Sequence, residues 1–186
     1  MKHDETESLQ KVLIADDNVH IMNLMRKFFA KAKKRGDLVC EILEAGDGKQ
    51  AIEVLEAEKP DLILCDINMP TMSGYTVLRY FNNTHLNSQP FCFFAFLTSS
   101  ADEIQNAFAE NVMGFVSKNE VSYYVLSQQI KTWLRLSKLE RNYEILSAKN
   151  KELKSRLEGK EENPANENME EKPRKFGDMG GGFFSK

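Results

Sequence analysis

Acidic, hydroxyl and amine side chains follow four of the short apolar runs in this chain. The first run ends at Asp16 and Asp17, and the third ends at Asp66. The fourth ends at Thr98, and the fifth leads into Lys118. If these runs are parallel strands of one sheet, their carboxyl ends open on the edge where such sheets bind ligands. The pattern therefore predicts one site that contains carboxylates, a hydroxyl and an ammonium group.

Such a cluster favours a particular chemistry. Three carboxylates within ~4–6 Å of one another repel by several kcal/mol at an effective dielectric constant of about 20. The cluster is stable when it holds a proton or a hard cation, and ligands that are all oxygen favour Mg²⁺ over zinc or copper. Lys118 and Thr98 would place a positive charge and a hydroxyl donor beside one carboxylate. This set suits phosphoryl transfer, with Asp66 as the nucleophile and an acyl phosphate as the product.

Each of these residues alone has a simpler interpretation. An aspartate after a strand commonly caps the next helix, which could apply to Asp16 or Asp17. Thr98 alone would also be a cap, and Lys118 alone would be a solvated surface charge. Their joint occurrence at strand ends, in the order that a single site requires, favours the shared site.

Strands and helices in alternation must position these residues. Apolar runs predict strands at 12–15, 39–43, 62–65, 91–97 and 114–116. Helical spacing of apolar residues predicts helices around four sets: Ile21, Leu24, Met25, Phe28 and Phe29; Ala51, Ile52, Val54 and Leu55; Val77, Leu78 and Phe81; Ile104, Ala107 and Phe108. A further helix follows the last strand, so strand and helix alternate five times along the chain. This alternation predicts an α/β fold. We expect a doubly wound, five-stranded parallel sheet in the order 2-1-3-4-5.

The last helical pattern begins near Val121 and contains no Gly or Pro before Gly159. Along it, seven residues alternate in steps of three and four, as in a coiled-coil seam of about three heptads: Leu136, Leu139, Tyr143, Leu146, Asn150, Leu153 and Leu157. A polar residue at the position of Asn150 can fix the register of a parallel dimer. We expect a homodimer through this helix. A helix that docks on another protein and a solvated helix are the alternatives.

The charges that flank this seam are mixed. In a parallel dimer Arg135 could meet Glu140 of the second copy, whereas Lys149 would face Lys154. The chain as a whole has a net charge of −3, which gives no indication of a nucleic-acid or anionic-lipid partner.

Composition divides the chain into four predicted segments. These are a flexible N-terminus at 1–10, a folded domain at 11–137, a helical extension at 138–158, and a tail at 159–186 that is too polar and Gly-rich to fold alone. No run of apolar residues is long enough to span a membrane. The three cysteines lie in apolar runs and are expected to be buried, reduced thiols of a cytoplasmic protein.

At this point the sequence resembles the receiver domain of bacterial two-component response regulators, which has the CheY-like fold. The resemblance covers roughly residues 11–137. Asp16 and Asp17 match the family's acidic pair, and Asp66 matches its phosphoacceptor. Thr98 matches its hydroxyl switch residue. The loop after the third strand matches the pattern Asp-x-x-Met-Pro-x-Met-x-Gly, here Asp66-Ile67-Asn68-Met69-Pro70-Thr71-Met72-Ser73-Gly74.

Two further positions extend the resemblance. Lys118 matches the family's lysine, and Phe115 matches its aromatic switch position. The resemblance implies Mg²⁺ bound by three groups with a fourth assisting through water: Asp17, Asp66 and the main-chain carbonyl of Asn68, assisted by Asp16. It also implies that phosphorylation draws Thr98 toward the phosphate and lets Phe115 move inward, which repacks the face that signals.

The predicted function is therefore a phosphorylation-activated response regulator rather than an enzyme. Its expected partners are a histidine kinase or phosphotransfer protein and a downstream protein target, with no DNA-binding module after the receiver. The alternative is a dimeric scaffold that does not use phosphate. Asn119, at a position where the family usually has proline, favours that alternative. A phosphohydrolase is disfavoured because Asn68 stands where such enzymes generally have a second acid.

Overall fold

The structure, a computed structural model, describes residues 9–85, 91–99, 103, 112–119 and 122–161. Its elements, in chain order, are β1 (Lys11–Ala15), α1 (Val19–Arg35), β2 (Glu41–Ala45), α2 (Gly48–Glu58), β3 (Leu62–Asp66), α3 (Gly74–His85), β4 (Phe93–Thr98), β5 (Gly114–Ser117) and α4 (Tyr123–Glu161). The helix predicted around Ile104, Ala107 and Phe108 lies outside the described residues.

The five strands form one parallel sheet in the order β2-β1-β3-β4-β5, which confirms the predicted topology. β1 pairs with β2 on one side and with β3 on the other. The strand order therefore reverses between β1 and β3, and a crevice opens at their carboxyl ends. This crevice is where the sequence places its acidic residues.

Helices cover both faces of the sheet, which explains why the central strands are apolar without interruption. Leu62 and Leu64 of β3 pack with α1 and the first turns of α4. Ile63 and Cys65 of the same strand pack with α2 and α3. Every residue of β3 and β4 is buried as a result. The sheet is thus a rigid frame from which the residues at its carboxyl edge project.

The second strand begins later than predicted. α1 ends at Arg35, and Gly36 is its C-cap. Gly36 has a positive φ of 71°, which suits glycine, and its N–H donates to the carbonyls of Ala32 and Lys33. In the connection that follows, Leu38 is buried, but Val39 is 59% exposed and lies outside the strand. Because β2 is an edge strand, pairing starts only at Glu41, opposite Lys11 of β1. An apolar residue in the connection was therefore mistaken for strand.

The chain divides into two compact units, Met1–Ala148 and Lys149–Lys186. The last helix runs from the first unit into the second, and it continues past Gly159 to Glu161. The side chains of residues 158–161 and the predicted tail at 162–186 lie outside the part of the chain that is described. No helix in the described ranges is both long enough and apolar enough to cross a membrane.

We predict that Gly74→Ala strongly destabilises the fold. A Cβ at this position would lie 2.1 Å from the carbonyl oxygen of Asp66, so backbone would have to move. We expect a loss of about 2–3 kcal/mol in the free energy of unfolding, measured by urea titration. The control is Gly46→Ala, because its Cβ would meet only Gln50 Oε1 at 3.7 Å. Equal losses in both variants would contradict the close packing at Gly74.

Candidate functional site

Three aspartates meet at the reversal of strand order. Asp16 and Asp17 follow β1, and Asp66 ends β3, so the pairing of these strands brings them together. One carboxylate oxygen of each lies within 4.8 Å of the other two. Asp16 and Asp66 are buried, with exposed fractions of 1% and 6%, whereas Asp17 is exposed. Neither Asp16 nor Asp17 caps the next helix, because the N-cap of α1 is Asn18.

Lys118 lies between two of these carboxylates. It follows β5, and its main-chain N–H donates to the Thr98 carbonyl at 2.7 Å, which fixes where the side chain begins. Its Nζ lies 2.8 Å from Asp16 Oδ2 and 2.8 Å from Asp66 Oδ1. The side chain of Lys118 is only 13% exposed. A buried ammonium therefore compensates part of the negative charge in the crevice.

Burial and charge act against each other at this site. Burial raises the pKa of Asp66, and the charge of Asp16 raises it further. Lys118 and the main-chain N–H of Asn68 lower it. The net shift of this pKa is upward. Burial alone would lower the pKa of Lys118, but its hydrogen bonds and charge interactions with Asp16 and Asp66 outweigh burial, so its pKa is raised. Lys118 is therefore held in its charged form.

Asn119 replaces the family's proline with a different restraint. The Lys118–Asn119 peptide bond is trans, as are all peptide bonds of the described ranges. The Asn119 side-chain amide donates to the Ser99 carbonyl at 3.0 Å, and its main-chain N–H donates to Ser117 Oγ at 3.3 Å. The bond to Ser99 ties the loop after β5 to the segment after β4, and the bond to Ser117 holds Asn119 against the end of β5. Lys118 is consequently directed into the crevice without a proline.

The loop after Asp66 folds back tightly beneath it. The Gly74 N–H donates to the Ile67 carbonyl at 2.9 Å, and Met69 is buried against the α2–α3 face of the sheet. Thr71 has a positive φ of 68°, a conformation that β-branched residues rarely adopt. The loop thereby holds Asn68 at the mouth of the crevice.

Thr98 is buried at the end of β4, and a residue that sequence reasoning missed contacts it. Thr98 Oγ1 donates to one carboxylate oxygen of Glu103, and the side-chain amide of Asn68 donates to the other, both at 2.5 Å. The Tyr75 hydroxyl donates to the Glu103 main-chain carbonyl at 3.0 Å. The Glu103 carboxylate therefore accepts the hydrogen bond that the Thr98 hydroxyl donates. No sequence signal marked it, because a single glutamate in a polar stretch resembles surface.

Phe115, the predicted aromatic switch residue, lies on β5 next to the site. It is half-buried and packs at the margin of the core between the sheet and α2 and α3. Its strand pairs with β4, with Phe96 opposite Phe115 and Thr98 opposite Ser117. The structure thus brings Asp16, Asp17, Asp66, Thr98 and Lys118 to one edge of the sheet, and it places Phe115 beside that edge.

The carboxylates fit a hard divalent cation. Asp16 Oδ1 accepts a hydrogen bond from the Asn18 N–H at 2.8 Å, and Asp16 Oδ2 pairs with Lys118 Nζ at 2.8 Å. Asp17 is exposed, and its carboxylate lies in one cluster with those of Asp16 and Asp66. A set of ligands that are all oxygen suits a hard divalent cation such as Mg²⁺.

This fold and this acidic crevice define a class of signalling domain. A family model described as the response regulator receiver domain matches residues 12–130. The chain therefore belongs to the family of two-component response regulator receiver domains. The family match ends inside α4, well before that helix ends at Glu161.

Three curated relatives match between 37% and 61% of this chain. The uncharacterized transcriptional regulatory protein YhcZ of Bacillus subtilis is 38% identical over 69 residues, which is 37% of this chain and 30% of YhcZ. Sporulation initiation phosphotransferase F of the same organism is 33% identical over 70 residues, 38% of this chain and 52% of that protein. A protein-glutamate methylesterase/protein-glutamine glutaminase of Methanosarcina mazei is 30% identical over 118 residues, 61% of this chain and 30% of that protein. The chain thus spans roughly a third to a half of the length of these relatives.

Solved structures agree on the fold. A CheY-like receiver domain from Methanospirillum hungatei superposes with a TM-score of 0.59 at 22% identity, covering 72% of this chain and 99% of that one. The receiver domain of an HD domain-containing protein from Pseudomonas fluorescens gives a TM-score of 0.62 at 21% identity, covering 72% and 93%. At these identities the likeness establishes the fold alone.

We predict that Asp66→Asn stabilises the chain at neutral pH when divalent cations are chelated. The pKa of Asp66 is raised by folding, so its contribution favours the folded state below the unfolded pKa of about 4 and is lost as pH rises through the folded pKa. At pH 7 the ionised carboxylate is therefore a burden that asparagine removes. We expect a higher Tm for the variant at pH 7, and a difference that shrinks as pH falls toward 4.

The control is Asp37→Asn, for which the sign is opposite. The Tyr123 hydroxyl and then Arg35 lower the pKa of Asp37, so its ionised form favours folding at neutral pH. This variant should lower Tm at pH 7, and the loss should fade toward acid pH. A Tm difference of the same sign in both variants, measured by circular dichroism, would contradict the assigned electrostatics of the crevice.

Proposed function

We propose that this chain is a phosphorylation-activated response regulator that accepts a phosphoryl group on Asp66. The observation that supports this most directly is the position of Lys118 Nζ, 2.8 Å from Asp66 Oδ1. Thr98 lies at the end of the neighbouring strand. An ammonium and a hydroxyl beside one carboxylate are the groups needed to stabilise the oxygens of a transferring phosphoryl group.

In the transfer, a carboxylate oxygen of Asp66 attacks the phosphorus of a phosphohistidine on a histidine kinase or phosphotransfer protein. The P–O bond of an acyl phosphate forms as the P–N bond breaks, and the departing imidazole retains its electron pair and takes a proton from solvent. Lys118 binds one oxygen of the transferred group, and the Thr98 hydroxyl binds another. The chain therefore acts as a phosphoryl-accepting switch rather than as an enzyme with its own substrate.

Asp16, Asp17 and Asp66, with the main-chain carbonyl of Asn68, are the groups that would hold Mg²⁺. When bound, the cation supplies positive charge that offsets the carboxylates and the incoming phosphoryl oxygens. Asp16 is 1% exposed, and its Oδ2 lies 2.8 Å from Lys118 Nζ.

The switch itself involves the contacts of Thr98. In the unphosphorylated chain its hydroxyl donates to Glu103. A phosphoryl group on Asp66 competes for that donor, and its charge repels the Glu103 carboxylate, so the contact with Thr98 changes partner. Phe115, half-buried beside β4, is the side chain that would then move inward.

We place the output on the outer face of α4 rather than in contacts with DNA. The apolar side chains on this face are largely exposed: Leu136 is 42% exposed, Leu139 54%, Tyr143 69% and Leu146 59%, and the same spacing continues through Leu153 and Leu157. An exposed apolar stripe with heptad spacing favours a partner helix. The occupant we propose is the same helix of a second copy, because Asn150 suits a parallel register and Arg135 would then meet the second copy's Glu140.

A dimeric scaffold that does not use phosphate is the second candidate, and the exposed stripe is equally compatible with it. The phosphoryl reading is preferred because a scaffold has no need of buried carboxylates around an ammonium. The proposal also places the chain in the cytoplasm, where phosphohistidine donors act, and its three cysteines are free thiols.

The function is tested by the intact mass of the full chain after incubation with a small-molecule phosphodonor. We expect one added phosphoryl group that requires Mg²⁺, is removed in mild base, and is absent from Asp66→Asn. Asp61→Asn is the matched control, since it changes the acid at the other end of β3, and it should still be modified. If no adduct forms under any condition, the scaffold becomes the better account.

Pairing through α4 is tested by two neighbouring substitutions. Leu146 lies in the stripe and Ile145 beside it, with similar exposed fractions of 59% and 61%. Leu146→Lys should raise the dimer dissociation constant at least ~10-fold, because a charge would lie in an apolar interface, while Ile145→Lys should leave it within about twofold. Sedimentation equilibrium measures both. Equal effects of the two variants, or a monomer in the unmodified chain, would contradict the proposed seam.

A further inference from the structure

The helix α4 stays attached to the sheet beyond the end of the family match at residue 130. Its inward side chains recur in helical steps and are buried, from Leu126 (1% exposed) and Ile130 (0%) to Leu134 (5%) and Ser137 (0%). Beyond Ser137 the next inward position is Arg141. The inner face of the helix therefore changes from apolar packing to polar contacts within one turn.

These polar contacts reach the amino-terminal edge of the sheet, opposite the acidic crevice. The Gln10 side-chain amide donates to the Leu134 carbonyl at 2.8 Å, and Ser137 Oγ donates to the Phe91 carbonyl at 2.9 Å. Arg141 Nη1 lies 2.9 Å from Asp61 Oδ1, and Arg141 Nη2 donates to the Phe91 carbonyl at 3.4 Å. Residues before β1 and β4 are thus joined to the same stretch of helix.

Asp61 is buried at the edge of the sheet and is held there by hydrogen bonds, so its contact with Arg141 is not a contact between surface charges. It is 4% exposed, and its Oδ2 accepts a hydrogen bond from the Lys11 N–H at 2.7 Å. Its main chain bonds on both sides, to the Lys11 carbonyl and from the Phe93 N–H. A buried carboxylate in this position needs a cationic partner, and within the described residues Arg141 supplies it. The pair therefore has a fixed place on the edge of the frame.

The same turns of α4 present the exposed stripe on their other side. Leu136, Leu139 and Tyr143 are exposed, whereas Leu134 and Ser137 are buried. In a helix a step of two residues turns a side chain by about 200°, so the stripe and the docked face point in nearly opposite directions. Whatever fixes the docked face consequently fixes the direction of the stripe.

We propose that Arg141, through its pair with Asp61, is a positioning residue that holds α4 to the receiver as far as Arg141 itself and so sets the orientation in which the part of the stripe from Leu136 to Leu146 is presented to a second copy. The contacts of Arg141 are present in the structure whether or not the chain accepts a phosphoryl group, whereas the signalling role of Arg141 rests on the proposed function. Without the pair, the turns after Leu134 would separate from the sheet. A change at Asp66 or Phe115 would then no longer reach the stripe.

The test is amide hydrogen exchange of the full chain without any phosphodonor, in a Leu146→Lys background, so that pairing of copies does not contribute protection. We expect Arg141→Gln to speed exchange at residues 134–141 at least ~10-fold while the strands exchange as before. Arg135→Gln, which removes the same charge from an exposed position of the same helix, should change nothing. Asp61→Asn should reproduce the effect, and the double variant should add little to either single one.

Three outcomes would overturn the proposal. They are exchange in Arg141→Gln equal to that in Arg135→Gln, full additivity in the double variant, and uniform acceleration of the strands together with the helix. A second readout tests the signalling role in chains that do accept a phosphoryl group. If Arg141→Gln keeps both phosphoryl acceptance and dimerisation but loses the change in dimer dissociation constant upon phosphorylation, Arg141 couples the two; an unaltered change would show that it does not.

Discussion

The Lys118 ammonium between the buried carboxylates of Asp16 and Asp66 is the interaction on which the functional site depends. Two carboxylates at the switch point of a parallel sheet cannot both remain ionised in a buried position unless a positive charge lies between them. The sheet order makes the meeting possible, because β1 and β3 are neighbours while Lys118 arrives from the outermost strand. The main-chain bond from Lys118 to Thr98 fixes that approach.

The sheet carries a second charge pair at its other edge. β3 is preceded by Asp61, paired with Arg141, and ends with Asp66, paired with Lys118. The two aspartates are five positions apart in extended chain, which places their Cα atoms roughly 16 Å apart. A fully buried strand therefore has the proposed phosphoacceptor at one end and, at the other, the acid that pairs with α4. The last helix, which presents the apolar stripe, is attached at the Asp61 end.

Much of this could be read from the sequence because the signals were local. The apolar runs and their helical intervals predicted the five-stranded sheet and its order, since buried parallel strands leave a continuous apolar pattern. The acidic and basic residues at strand ends predicted which side chains meet, because strand ends of a parallel sheet share an edge. Asn119 stands where the family usually has proline. Its side-chain amide donates to the Ser99 carbonyl, and this hydrogen bond restrains the loop in place of a proline.

What the sequence could not reveal depends on contacts between distant residues. Arg141 meets Asp61 across 80 positions of sequence, and an arginine among the many charges of a helix carries no sign of its partner. Glu103 likewise contacts Thr98 and Asn68, which are 5 and 35 positions away in sequence, only in the folded chain. The start of β2 was misplaced because Val39 has strand propensity but faces solvent. Tertiary packing decides each of these cases, and local propensity does not.

The central claim is that Asp66, Thr98 and Lys118 form one phosphoryl site, and fluorine NMR with beryllofluoride and Mg²⁺ tests it directly. The three fluorines stand in for the three phosphoryl oxygens. The account predicts separate protein-bound signals, one shifted by Thr98→Ala, another by Lys118→Gln, and none remaining in Asp66→Asn. Absence of bound signals in the unmodified chain, or signals indifferent to Thr98 and Lys118, would contradict it.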